Sequence, residues 1–431
     1  MMLASCSVPL LGLVDTAILG HLEHPRYLAA VAAGGSIMTF IGWIFAFLRM
    51  GNTGLTAQAV GNQDKLRNRE IMRQSLTLGA CCGLFLVVLH IPLLQLAVHL
   101  ITPSPDIQGL TYQYCQIRIF AAPATLTTSA ALGWLLGNGR AKSCVAILLV
   151  TNVTNILLDF LLIKGLGMNS EGAAWASFCA EWIGLVVAIW RVFRVAQDMP
   201  SASSRGLFSV QKLKPLLEVN RQLFYRTCCI VFTMAFFHAQ GARLGNEVLA
   251  ANAILIQLLL LVAYTQDGFA NAAEALTGQA IGAGRMEDFF ETCRQVVAWG
   301  FLLAVIATVI LAFWPEQIIN LFTNIPQVLD VARQFWPWLT LLPLASAYCF
   351  MADGIFIGAG KTRDMLYTTL IATLLIYLPT WTLTRSWGNH GLWMAYLLFL
   401  LSRSLLMGYV FHRHSKMQRW IPAPLKPALI D

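Results

Sequence analysis

Two carboxylates stand where this chain is least able to hold them. Asp15 lies in the apolar stretch Pro9-Leu-Leu-Gly-Leu-Val-Asp15-Thr16. Asp159 closes a series with Asn152 and Asn155 whose i, i+3, i+7 spacing puts all three on one helix face. An ionisable group at membrane depth costs about 2.5–3.5 kcal/mol or more and marks a functional candidate. Two amides followed by a carboxylate on an otherwise apolar helix suit cation coupling. Desolvation disfavours the charged form of a carboxyl in such surroundings, so the group is able to take up and release a proton. The competing reading is structural, since intramembrane amides also join helices by hydrogen bonds. The second half carries Asp267 and Glu274, seven apart and hence on one face, and Asp353. These are candidates either for contact with a cationic substrate or for pairing with Arg49, Arg118, Arg226 or Arg403, and Glu181 is a further such partner. His90 and His238 read as satisfied or interfacial side chains rather than ligands.

Other chemistries lack their residues. The ten cysteines include the adjacent pairs Cys81-Cys82 and Cys228-Cys229 inside apolar runs, with no CxxC or Cys/His metal spacing, and read as small core residues. No metal site built from side-chain clusters is expected, and no HExxH, Ser/His/Asp or paired-acid catalytic pattern is visible. Gly358-Ala-Gly-Lys-Thr362 imitates the end of a phosphate-binding loop, but the required earlier glycine is replaced by Ile355 and an apolar run precedes it instead of a strand. It reads as a turn.

The elements that position these groups follow from composition. Of 431 residues 57% are hydrophobic and 12% charged, about half the charge of an ordinary soluble domain, and the mean hydropathy is +0.65. The solvent for most of the surface is lipid. Twelve apolar runs are long enough to span: approximately 2–20, 29–50, 74–94, 115–137, 143–164, 172–193, 222–242, 249–272, 295–314, 336–357, 364–384 and 391–411. Period-two alternation is absent, which excludes a transmembrane β-barrel. The net charge of +8 is dealt among short loops instead of forming a stripe with stacking aromatics, so a nucleic-acid partner is not expected. With Arg191 counted at the edge of its run, the loops after even-numbered runs and the C-terminal tail hold twenty of the 29 Lys+Arg. The opposite loops hold five: Arg26, Lys164, Arg243, Arg333 and Arg385. Both termini are therefore expected in the cytoplasm. The first run lacks a basic n-region, so a cleaved signal peptide is not expected.

The chain also repeats itself. At an offset of 221, Leu55-Thr-Ala-Gln-Ala-Val-Gly61 matches Leu276-Thr-Gly-Gln-Ala-Ile-Gly282, Arg73-Gln74 matches Arg294-Gln295, and Gly137-Asn-Gly139 matches Gly358-Ala-Gly360. From 28 to 74 about a quarter of positions are identical without a gap, and after a two-residue deletion Gly172 falls on Gly391. Six runs per half is an even number, so the halves are parallel repeats, an arrangement that transporters use to rock about a central site. The expected organisation is an N-terminal six-helix lobe over 1–194, a linker over 195–220, a C-terminal six-helix lobe over 221–412 and a tail over 413–431. The acids break the symmetry: Asp15, Asn155 and Asp159 fall opposite Phe236, Ile376 and Thr380.

The fold class is thus an all-α integral membrane protein with twelve transmembrane helices in two parallel six-helix repeats. With Pro9–Leu22, Asn155-Ile-Leu-Leu-Asp159, Leu55-Thr-Ala-Gln-Ala59, Gly133-Trp-Leu-Leu-Gly137 and Asp267-Gly-Phe-Ala270, the sequence resembles the MATE (multidrug and toxic compound extrusion) family, in its DinF-like branch, over nearly its whole length. The resemblance implies a monomeric multi-pass antiporter of the bacterial inner membrane. It would expel small amphipathic or cationic drug-like compounds in exchange for H+ or Na+, with no other cofactor. It places coupling roles on Asp15, Asn155 and Asp159, and on Ser177 in Gly172-Ala-Ala-Trp-Ala-Ser177, with Na+ as the alternative guest of Asn155, Asp159 and Ser177. A tyrosine found in some members one turn before the first aspartate is Leu11 here. Members usually carry more residues ahead of the stretch that begins at Pro9. The alternatives are a lipid-linked precursor flippase of the same superfamily, an intramembrane lipid-modifying enzyme and a channel.

Overall fold

A lipid-exposed backbone must satisfy its own hydrogen bonds, and an α-helix does so within one segment. A computed structural model describes residues 25–101, 105–200 and 209–420, and among these there is no strand. Asp15 and the run 2–20 lie outside the described residues. The first half forms α1 (Pro25–Ile44), α2 (Phe47–Gly61), α3 (Lys65–Val88), α4 (His90–Ile101), α5 (Pro105–Ile119), α6 (Ala122–Gly137), α7 (Ala141–Asp159) and α8 (Asn169–Ala196). A π-helical turn, Phe160–Gly165, follows α7. The second half forms α9 (Val210–Ala242), α10 (Asn246–Gly282), α11 (Met286–Phe313), α12 (Pro315–Asn320), α13 (Pro326–Gly358), α14 (Thr362–Ile371), α15 (Leu378–Thr384) and α16 (Asn389–Lys416). A second π turn, Ala372–Tyr377, joins α14 to α15.

Every run from 29–50 onward lies largely on helix, with turns at Phe45-Ala46 inside 29–50 and at Leu89 inside 74–94. Nine helical segments among the described residues are long and apolar enough to cross a membrane, or ten when a bent pair is taken as one span. The run 222–242 lies within α9, whose first turns are polar and which is not among those ten. The run 115–137 was expected to be continuous and is not: Ile107–Ile119 and Ala122–Gly137 meet at 52°. Pro123 sits in the first turn of α6, where its missing N–H is tolerated, whereas inside one continuous helix it would break the hydrogen-bond ladder. The cysteines also depart from expectation. Cys115, Cys144, Cys293 and Cys349 are buried, but Cys81 is exposed and Cys82, Cys179, Cys228 and Cys229 are half-buried. A thiol facing hydrocarbon loses no solvation by leaving the core, so hydropathy does not sort the two positions.

The internal repeat reappears as geometry. Helices start at Lys65 and Met286, and at Ala141 and Thr362, each pair 221 apart. Left-handed turns recur at the same offset: Gln63 (φ 57°) with Gly284 (68°), Gly139 (70°) with Gly360 (69°), and Gly167 (67°) with Gly388 (56°). Close helix crossings recur too. Gly133 lies against the Arg49 backbone and Gly354 against the Ala270 backbone, the second pair being the first displaced by 221. The stretch Gly358-Ala-Gly-Lys-Thr362 is a helix–turn–helix corner, where burial pushes the Lys361 ammonium below its ordinary value against the opposing Asp364, with Arg419 adding to the depression.

The described chain divides into two compact units. One holds the residues up to Thr56 and Asp64–Thr227, the other Ala57–Gln63 and the residues from Cys228 onward. In the first, α3 packs on α6, α7 on α8, and α1 on α5. In the second, α13 is central, in contact with α10, α11 and α16. The end of α2 belongs to this second unit, where Gly61 meets the Gln279 backbone and Gly282 meets the Gln58 backbone. Since 58 and 279 are themselves 221 apart, as are 61 and 282, this crossing is reciprocal.

Each unit carries a polar clasp. In the first, Asn68 donates to Asn138 Oδ1 at 2.7 Å and accepts from Trp134 Nε1 at 2.7 Å. In the second, Asn252 and Asn389 exchange bonds of 2.8 and 3.0 Å while Trp393 Nε1 donates to Asn252 Oδ1 at 2.9 Å. All these side chains but Asn138 are buried.

Candidate cation-coupling site

The helix α7 sorts its residues by side. Leu149, Val150, Val153, Leu157 and, past its end, Phe160 and Leu161 are exposed. Cys144, Ile147, Asn155 and Asp159 form its buried stripe. The amide and the acid thus face protein, as their cost in hydrocarbon requires. Asn152, one turn earlier, is half-buried.

The facing helix α8 makes room with small residues. Gly172, Ala173, Ala176, Ser177, Ala180, Gly184 and Ala188 are buried along it, and a Cβ on Gly184 would stand 3.4 Å from Thr151 Cβ. Close approach of the two backbones brings Ser177, 22 residues from Asn155 in sequence, within 3.2 Å of its amide. In the orientation that satisfies both ends, the Asn155 oxygen accepts from the Ser177 N–H at 3.1 Å and hydroxyl at 3.2 Å, and Nδ2 donates to Asp159 Oδ2 at 3.3 Å. The three residues are at most 7% exposed. Asn155 therefore bridges a carboxylate to a hydroxyl, a set of hard oxygen donors that suits a proton or a small cation.

Immediately after Asp159 the backbone widens into the π turn 160–165. Such turns inside helices occur often at functional sites. No residue type in Phe160-Leu-Leu-Ile-Lys-Gly165 signals it in the sequence. A neighbouring charged group lies in the same unit: Glu181 faces Arg118 and Thr125, and Arg118 donates to the Tyr114 hydroxyl at 3.0 Å.

The second unit treats the same positions differently. Ile376 and Thr380 stand opposite Asn155 and Asp159 and are half-buried, and beside them Tyr377 meets Phe236 edge to face at 5.7 Å and Trp381 closes on Phe236 at 6.4 Å. Asp353 is held by Arg403, whose Nη2 donates to both carboxylate oxygens at 3.3 and 3.0 Å. This ion pair joins residues 50 apart in sequence. Glu274 is buried on α10 and Asp267, two turns before it, is half-buried. His90 is satisfied by the Val87 carbonyl at 2.7 Å.

A bundle of apolar helices built as two parallel repeats is an arrangement that transporters use. The comparisons with known proteins give the family: the MatE family model matches residues 1–161 and 224–382, and the chain belongs to that family. It is similar to DNA damage-inducible protein F of Escherichia coli (strain K12), 35% identical over 430 residues and covering 98% of this chain and 92% of that protein. It is 23% identical over 424 residues to multidrug and toxin extrusion protein 1 of Homo sapiens, covering 96% and 73% of the two chains. A solved structure described as the outward-facing conformation of a multidrug resistance MATE family transporter of the MOP superfamily superposes with a TM-score of 0.88 at 20% identity, covering 98% and 95%. The chain is thus a multi-pass membrane protein with the MATE fold, and members of its family are transporters, not enzymes.

Proposed function

We propose that this chain is a secondary multidrug antiporter of the bacterial inner membrane, with both termini in the cytoplasm. It expels small amphipathic or cationic compounds in exchange for H+ or Na+ by alternating access. The observation that carries the reading is the buried Asn155–Asp159–Ser177 cluster, present in one repeat and replaced by Ile376 and Thr380 in the other. A scaffold contact would be expected in both copies of a duplicated fold, whereas coupling needs one.

Asp159 and Asp15 hold the cation in the outward-facing state and release it in the inward-facing state, and Asn155 and Ser177 are the further oxygen ligands when the ion is Na+. A difference of one pKa unit between the states supplies about 1.4 kcal/mol of coupling. No resident cofactor is needed, and the monomer is the working unit.

The test is substrate-driven pH change in inverted vesicles, with and without Na+. Asp15→Asn and Asp159→Asn should each reduce coupled efflux to background while the protein still reaches the membrane. Coupled transport at the parent rate in both variants refutes the mechanism. Loss of transport on removing Na+, without any proton movement, assigns the ion as Na+.

A further inference from the structure

At the end of α8 two guanidiniums share one indole. Arg191 and Arg194 lie 4.9 and 4.4 Å from the centroid of the Trp190 ring. Stacking on the π face holds a planar cation in place while leaving its N–H edge available to an acceptor. Among the described residues neither arginine takes part in an ion pair, and Asp198, one turn beyond Arg194, is exposed. The Arg191 Nε is buried without a hydrogen-bond acceptor.

The surface leading to this pair is apolar and uncovered. Trp182, Val186, Trp190 and Phe193 follow one another at spacings of four, four and three, which is one helix face, and are 38%, 67%, 46% and 57% exposed. The antiparallel neighbour α7 adds charge at the same height. With Gly184 seated against Thr151, its exposed Lys142 comes level with Phe193, and Arg140 stands just beyond. A long apolar strip ending in oriented, acceptor-seeking cations has the polarity of a phospholipid: acyl chain along the strip, phosphate at its end.

We propose that this corner of the first unit is a binding site for an anionic phospholipid. The phosphate lies between Arg191 and Arg194, and an acyl chain runs along Trp182, Val186 and Phe193. A zwitterionic lipid brings an ammonium into the same cationic cluster and is disfavoured, which makes the site selective for net negative charge. The repeat supplies an internal control. After the two-residue deletion, Tyr409, Val410 and Arg413 stand where Trp190, Arg191 and Arg194 do, so the second repeat lacks the pair.

The experiment is native mass spectrometry of the full chain released from micelles containing equal amounts of phosphatidylglycerol and phosphatidylethanolamine. The parent protein should retain phosphatidylglycerol preferentially. Arg191→Gln with Arg194→Gln should lower that preference by about tenfold or more, since each basic group near an anionic surface is worth about fivefold. Arg413→Gln should leave it unchanged, and Trp190→Leu, which keeps both charges, should fall between. The proposal is overturned if the double variant keeps the preference, if the parent shows none, or if inorganic phosphate displaces the lipid at equal concentration. Melting curves of all variants in neutral detergent show whether each is folded, and the Trp190→Leu protein stands as the second reading should the double variant not be.

Discussion

The reciprocal crossing of α2 and α10 makes a prediction that depends on geometry more than on chemistry. A Cβ on Gly282 would lie 2.8 Å from the Gln58 carbonyl carbon and 2.9 Å from its Cα, and one on Gly61 would lie 2.9 Å from the Gln279 carbonyl carbon and the Ala283 nitrogen. Carbon atoms rest about 3.5–4.0 Å apart, and all four obstacles are backbone, so no rotamer change relieves them. Helix propensity alone favours Gly→Ala by about 0.5–1 kcal/mol, while overpacking costs about 1–3 kcal/mol. Each single alanine variant should therefore lose about 1–2 kcal/mol.

Both methyl groups push the same two helices apart. Once one has done so the other enters space already opened, and the double variant should lose clearly less than the sum of the singles, a coupling of about 1 kcal/mol. Gly42 in α1 meets nothing within 4 Å, so Gly42→Ala should be neutral or stabilising by about 0.5–1 kcal/mol. Thermal unfolding of the purified full chain in one detergent, followed by tryptophan fluorescence, compares all four variants with the parent. Singles as stable as the parent, or a double variant that loses the full sum, would mean that the crossing is not the close reciprocal contact described.

Two further outcomes follow from buried polar pairs. Removing Asp353 takes the carboxylate away from the Arg403 guanidinium, which is 2% exposed. Asp353→Leu alone should destabilise by about 3–5 kcal/mol, whereas Asp353→Leu with Arg403→Met should recover most of the loss; equal melting temperatures for the single and double variants would contradict the pairing. Asn252→Leu leaves the Trp393 Nε1–H and the Asn389 amide without their partners and should cost about 2–3 kcal/mol by the same unfolding assay. Trp393→Phe, which removes one donor and leaves the Asn252–Asn389 exchange intact, should cost less.

Much of this protein is legible locally. Hydropathy decides the solvent and places helix under every run from 29–50 onward, and the offset of 221 read from matching residues predicts helix starts and left-handed turns because loop glycines answer to backbone conformation. The spacing of Asn155 and Asp159 puts both on the buried side of α7 for the same reason: helical period is a property of a single segment. The 52° break before Pro123 was legible only in part, since proline marks a helix start but not the angle that packing imposes.

What a side chain touches across the bundle depends on how each helix is rotated and how far it slides against its neighbours, and no single segment encodes either. Only the tertiary structure decides that Arg403, among four candidate arginines, binds Asp353, that Asn155 reaches over to Ser177, and that Gly61 and Gly282 grip each other's helices. Composition and period determine which groups must turn inward; the close approach of small residues, summed over many helix contacts, determines whom they meet.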